Sequence, residues 1–272
     1  MTRLPIDCRT VTIPFRRPRA GVRPGLIFLL MLGLTVLSGW ACWTATEVRT
    51  GTRLAVFIFI LAAWVVSLSL HEFAHAYLAW RFGDREVEAR GYLTLNPVRY
   101  AHPVLSILLP VLFIAIGGIG LPGGAVWLHP DRFRTDLQRA LVALAGPLVN
   151  LVLAAVLIVL AGKEIAGSTH FVFWLALSGL GLLQLMAAVL NLLPIPGLDG
   201  YGAIEPSLDR NFRQFAEQVK PFGMLIVFAL LQVDTINREF FRLIFWLYDL
   251  SGQPHVYGQG GLELLKFWHR SY

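Results

Sequence analysis

Apolar and polar positions segregate into long blocks along this chain, where a soluble domain would mix them at helical or strand period. Residues 25–43 form the first apolar block, 54–80 the second, and 103–121, 137–161 and 170–193 follow. A bilayer core takes roughly 20 apolar residues per helical crossing, so blocks of this length predict transmembrane helices. The block 103–121 is interrupted by Pro110 and rich in glycine. Residues 91–97, Gly-Tyr-Leu-Thr-Leu-Asn-Pro, alternate apolar and polar side chains and predict a short strand-like element. Past residue 200 the pattern weakens. Residues 201–220 are polar, 222–233 are apolar for only 12 positions, and Asp234, Arg238 and Glu239 separate these from 240–250. Those last two runs read as one interrupted span or a hairpin, followed by a loose tail.

The expectation is an all-α polytopic membrane protein of about five to six transmembrane helices, with a short β-like or re-entrant element after the second apolar block. Residues 1–24 read as a basic cytoplasmic tail, 25–53 as an N-terminal anchor and outer loop, 54–200 as the membrane core, and 201–272 as a polar segment, a C-terminal membrane segment and a tail. A cleaved signal peptide is the rival reading for the first block. The block exceeds the usual apolar length of such a leader and lacks a clean small-x-small exit, which favours an uncleaved anchor.

Composition agrees: 56% of residues are hydrophobic and only 15% charged, with a mean hydropathy of +0.62. The net charge of +6 lies between apolar blocks and is not gathered on a soluble face. That placement suits orientation in a membrane and contact with anionic lipid, and argues against a nucleic-acid partner. Six arginines in residues 1–24 predict a cytoplasmic N-terminus. Cys8 and Cys42 stand in separate segments, which argues against a disulfide framework or a cysteine-based zinc site. Any metal must use histidine and carboxylate.

Such residues occur where they are least expected. His71-Glu72-Phe73-Ala74-His75 lies near the end of the second block. Histidines four apart on a helix face one way and can grip one metal ion, with Glu72 beside the water such an ion would activate. The bland alternative is a pair of helix histidines bonded to neighbouring helices. Ionisable groups at this depth are costly unless they pair, bind metal or line a wet cavity. Catalytic zinc needs three protein ligands and one open position. The best third candidate is Asp199, in the run Asn191-Leu192-Leu193-Pro194-Ile195-Pro196-Gly197-Leu198-Asp199-Gly200. Its prolines and glycines would unwind a helix end, which is tolerated at membrane depth where it lines a cavity. The alternative there is a plain surface turn. His102, His129, His170, His255 and His269 lack ligand spacing, and Trp40, Trp43, Trp80, Trp127 and Trp174 near block ends suit interfacial anchoring.

Together, H-E-x-x-H in one apolar block, Asn191-x-x-Pro194-x-Pro196-x-Leu198-Asp199-Gly200 after a later one, and Ala145-Gly146-Pro147-Leu148-Val149-Asn150 between them resemble the site-2 protease family of intramembrane zinc metalloproteases. The likeness runs from about Ser67 to Gly200, and residues 91–97 resemble the compact bacterial branch without a PDZ domain. The resemblance implies a Zn2+ cofactor held by His71, His75 and Asp199, Glu72 as general base, and Asn191 against substrate or oxyanion. It also implies transmembrane protein substrates and a bacterial cytoplasmic membrane. Where many relatives continue Asp-Gly with Gly or Ser and then Arg, this chain has Tyr201-Gly202-Ala203, which leaves substrate handling open. A noncatalytic scaffold or transporter with a structural metal site is the rival class, and an ordinary metalloprotease on an anchor a second. If the blocks that carry His71 and Asp199 end on one side, an odd number of crossings separates them, which makes 103–121 a re-entrant segment.

Overall fold

A computed structural model describes residues 22–100 and 133–268. The 103–121 segment and its re-entrant reading lie outside these residues. The long helices are α1 (Leu26–Thr44), α2 (Thr50–Arg81), α3 (Asp136–Ile165) and α4 (Phe171–Asn191). Shorter ones follow: α5 (Asp199–Ile204), α6 (Arg210–Val219), α7 (Gly223–Leu231), α8 (Asp234–Asp249) and α9 (Val256–Leu265). No strand occurs among the described residues. Five helical stretches are long and apolar enough to cross a membrane: α1 to α4 and the continuous run Arg210–Leu231. The chain is an all-α polytopic membrane protein.

Helix starts follow local chemistry. Thr135 caps α3 by accepting a 3.2 Å bond from the amide of Gln138, and Asp136 adds an acid to the positive end of the helix dipole. The centre of the bundle is α4, whose apolar window is 78% buried, whereas that of α1 is 17% buried and faces outward. Phe59, Ile60 and Trp64 of α2 meet Leu180, Leu183 and Ala187 of α4 in one apolar cluster. Lipid tails are as apolar as these side chains, so close packing, more than water exclusion, must select this arrangement. Small residues supply it. A methyl group at Gly179 would lie 2.9 Å from the carbonyl carbon of Gly261, and one at Gly261 would overlap the carbonyl oxygen of Leu175. Thus α4 and α9 touch backbone to backbone. The Ser178 hydroxyl bonds that of Tyr248, joining α4 to α8.

Three sequence expectations change. Residues 91–97 are not strand-like: Tyr92–Thr94 is a 3-10 turn and Pro97–Tyr100 a single helical turn. Gly91 and Leu95 bound the 3-10 turn with φ of 75° and 52°, and the successive residues Tyr92 and Leu93 are both buried, which a period of two forbids. The amide of Gly25 donates to the Thr94 carbonyl at 2.7 Å, tying the turn to the start of α1. The C-terminal stretch is not a loose tail, because α9 buries Leu264 and Leu265 against the α2–α4 cluster. The 12-residue run 222–233 also does not stand alone. Through the 3-10 turn Lys220–Phe222, α7 continues α6 into a 22-residue helical stretch.

Gly261→Ala should lower the thermal midpoint of the detergent-solubilised protein, by about 1–3 kcal/mol of stability if overpacking governs. Gly33→Ala in α1, where a methyl meets nothing within 4 Å, should leave it unchanged or raise it by up to about 1 kcal/mol through helix propensity. Equal shifts in the two variants would contradict the close α4–α9 contact.

Candidate metal centre

The site begins with the length of α2. At 32 residues it is longer than a bilayer core requires. His71 lies ten positions before its end, about 15 Å along the axis at 1.5 Å per residue, and so inside the apolar run 54–80. His71, Glu72 and His75 are each at most 5% exposed. The third component arrives where α4 stops. Pro194 and Pro196 prevent its continuation, the Leu198 amide closes a turn on the Ile195 carbonyl at 3.0 Å, and Gly197 takes φ +98°. The chain re-enters a helix with Asp199 in the first turn of α5.

The separated segments converge. The Nε2 atoms of His71 and His75 are 3.1 Å apart, and Oδ2 of Asp199 stands 3.3 Å from the first and 3.4 Å from the second. A tetrahedral zinc with bonds of about 2.0–2.1 Å places its ligands about 3.3–3.4 Å apart. The triangle fits that spacing. Three lone pairs aimed at one point repel each other unless a cation or proton lies among them. Two imidazoles and one carboxylate are a donor set of catalytic zinc, with the fourth position left open. Among the described residues this is also where three metal-binding side chains come together.

Neighbouring groups set the orientation. Nδ1 of His75 meets the carbonyl oxygen of Val142 on α3 at 2.7 Å. If that nitrogen carries the proton and donates it, Nε2 is left bare for a metal. Pro147 opens the hydrogen-bond ladder of α3 at Ala143, next to that acceptor. Nδ1 of His71 is buried with no hydrogen-bond partner among the described residues. Gly146 faces the two ligands directly: a methyl there would overlap Nε2 of both His75 and His71. The sequence showed Gly146 within a motif but not this role, because the contact is made between helices.

A cavity of about 590 Å³ opens beside the donors and is lined by Glu72, Asn150, Gln184 and Asn191, among others. Asn191, at the last turn of α4, is 6% exposed and shares this wall with Glu72. Gln184, 1% exposed, donates to the Ser67 hydroxyl at 2.7 Å, which donates to the Trp64 carbonyl at 2.8 Å. Sequence reasoning missed Gln184, since one amide in an apolar block carries no spacing signal. His170 and His255 take no part: the first lies 2.8 Å from the Trp43 carbonyl and stacks on that ring, the second pairs with Asp249. His102, His129 and His269 lie outside the described residues.

Among known proteins, the chain is 49% identical over 251 residues to "Putative zinc metalloprotease Rip2" of Mycolicibacterium smegmatis, covering 92% of this chain and 96% of that protein. Its namesake in Mycobacterium tuberculosis strain H37Rv shows the same identity and coverage. "Putative zinc metalloprotease YwhC" of Bacillus subtilis is 34% identical over 195 residues, 65% of this chain and 81% of that protein. No family model matches the chain, and no solved structure does.

Gly146→Ala should weaken zinc retention by at least roughly tenfold, because the added methyl must displace an imidazole. Zinc per purified protein, measured beside helical content, checks this. Full zinc occupancy in a folded Gly146→Ala protein would contradict the donor geometry.

Proposed function

Because the chain belongs to the site-2 protease family and is a zinc metalloprotease, we propose that it hydrolyses peptide bonds in or near the transmembrane segments of other membrane proteins. The observation that carries this reading is the depth of the donors: His71, Glu72 and His75 are buried in the last third of a membrane-length helix, beside a cavity. In this proposal His71, His75 and Asp199 hold Zn2+ and leave one position for water or substrate. Bound zinc would polarise the scissile carbonyl and make water acidic enough to lose a proton near neutral pH.

Glu72 takes that proton as the water attacks and returns it to the departing amine, so that water adds across the peptide bond. Asn191 is offered as a hydrogen-bond donor to the carbonyl oxygen as negative charge develops there. The substrate must enter unwound, since a helix ties its carbonyls in internal bonds. Weak helix formers near the membrane surface make such unwinding cheaper. Partners in this reading are transmembrane proteins and the lipid bilayer.

We further propose a bacterial cytoplasmic membrane and a cytoplasmic N-terminus. Support comes from the arginines and lysines. Arg81, Arg85, Arg90, Arg99, Arg132, Arg134, Arg210, Arg213 and Lys220 would lie inside, leaving Arg49, Arg53 and Lys163 outside.

Glu72→Gln should lower cleavage of a membrane substrate by at least roughly 10²-fold while zinc stays bound. His71→Ala, His75→Ala and Asp199→Ala should lose zinc as well as activity. Metal content read beside fragment release separates the two classes, and full activity in Glu72→Gln would sink the protease reading. For topology, single cysteines at Arg85 and Gly167 in a chain lacking Cys8 and Cys42 can meet an impermeant thiol reagent on intact cells. The one at 167 should react and the one at 85 should not, and the reverse pattern would overturn the orientation.

A further inference from the structure

Apart from Glu72 and Asp199 at the metal donors, the wall of the metal cavity carries more positive charge than its remaining acids neutralise. Arg139, Arg210, Arg213 and Lys220 all line it, together with Glu205 and Glu217. Both glutamates are already engaged, since Nζ of Lys220 lies 2.8 Å from Glu205 and 2.6 Å from Glu217. The side chains of Arg210 and Arg213 make no hydrogen bond or ion pair among the described residues. The ion pair of Arg139 is a 3.8 Å approach to Asp136, whose side chain is 71% exposed. The Nε atoms of Arg139 and Arg213 are buried and have no hydrogen-bond partner among the described residues. An Nε–H withdrawn from solvent without an acceptor is costly, and among the described residues this wall holds two, although the Arg139 side chain as a whole is 30% exposed.

Orientation in the membrane does not account for this. The bias of arginine towards one side needs only charge on that side, and any exposed residue supplies it. It does not require Nε atoms withdrawn from solvent into the wall of the cavity that holds Glu72 and Asp199.

We propose that Arg139, Arg210 and Arg213 form a carboxylate-binding subsite for acidic side chains of the substrate, an inference that rests on the protease reading above. Guanidinium is suited to that ligand, because its planar fork matches a carboxylate with paired, charge-assisted hydrogen bonds. The register follows from α3. Arg139 precedes Gly146, which abuts the histidine donors, by seven positions on one helix. At 1.5 Å per residue the guanidinium stalk stands about 10 Å from the level of the metal donors, which an extended peptide covers in about three residues. The preferred substrate therefore carries Asp or Glu about three residues from the scissile bond, on the side that lies towards the start of α3. Membrane proteins usually carry Lys and Arg beside their cytoplasmic ends, so the subsite would repel the common flank and select a rarer one. The carboxylate is preferred over a lipid phosphate as occupant because the arginines share one cavity with the metal donors, where the substrate chain must lie.

The test uses the full chain in phosphatidylcholine nanodiscs and three transmembrane peptides that differ only in Asp, Asn or Lys at one juxtamembrane position, which in any cleaved peptide is the third from the mapped bond. Cleavage efficiency is measured with the wild type, and binding of the same peptides by fluorescence anisotropy with Glu72→Gln. Asp should be preferred over Lys by at least roughly tenfold at low salt, with the ratio falling as salt screens the charges. The ratio should collapse towards one in Arg139→Gln/Arg213→Gln and invert in Arg139→Glu/Arg213→Glu. Because each ratio is taken within one protein, a lower folded fraction cancels. Equal handling of Asp and Lys by the wild type, or a preference that survives the double variants, overturns the subsite. Acid-selective binding without cleavage would strike the protease reading and leave the subsite standing, whereas cleavage without selectivity does the opposite. If phosphatidylglycerol binds the wild type better than Arg139→Gln/Arg213→Gln while the peptides show no preference, the occupant is a lipid phosphate and the proposal falls.

Discussion

Three electron pairs pointed at one place among buried side chains repel one another, and the surrounding medium screens that repulsion poorly. His71, His75 and Asp199 are nevertheless held with their donor atoms 3.1–3.4 Å apart. A cation at the centre turns this repulsion into attraction, so the arrangement makes physical sense as a metal centre. The rest of the fold can be understood as what is needed to keep those atoms together. One helix must carry two histidines a turn apart, and a second must break so that its continuation brings a carboxylate back. A third must come close enough to orient the imidazoles without filling their space.

That third requirement falls on α3, and it is met by two neighbouring residues with opposite effects. Gly146 removes bulk, leaving room for both imidazoles. Pro147 removes an amide hydrogen one position later and loosens the ladder beside Val142, whose carbonyl faces His75. In water such a pair would weaken a helix. In a membrane the neighbouring helices and the low dielectric keep the remaining bonds formed, so the local defect is retained as a site feature. The same tolerance allows α4 and α9 to meet through Gly179 and Gly261, where packing must replace the hydrophobic driving force that lipid does not provide.

Polar groups from several helices line the cavity. Gln184 donates to Ser67, Asn150 and Asn191 share the wall with Glu72 and the donors, and Arg210, Arg213 and Glu217 of α6 line it as well. An unwound peptide needs hydrogen-bonding partners wherever it leaves its own helix, and a membrane interior offers none of its own. A cavity of this kind supplies them. His71, His75 and Asp199 line that same space.

Much of this was legible in one dimension. Apolar blocks of membrane length announced α1 to α4, since the bilayer's thickness acts on composition alone. His71 and His75 were readable because a helix converts a spacing of four into a shared face. Asp199 was readable because two prolines and two glycines mark a break at the end of an apolar run. Alternation over 91–97 misled, because positive φ at Gly91 and Leu95 curls the chain before a strand can form. The role of Gly146, the pairing of Gln184 with Ser67, the seating of α9 on α4 and the gathering of arginines on the cavity wall were decided only by tertiary structure. Each depends on which atoms of distant helices meet, and a sequence states periodicity and local breaks but not the depth, rotation and distance at which helices pack.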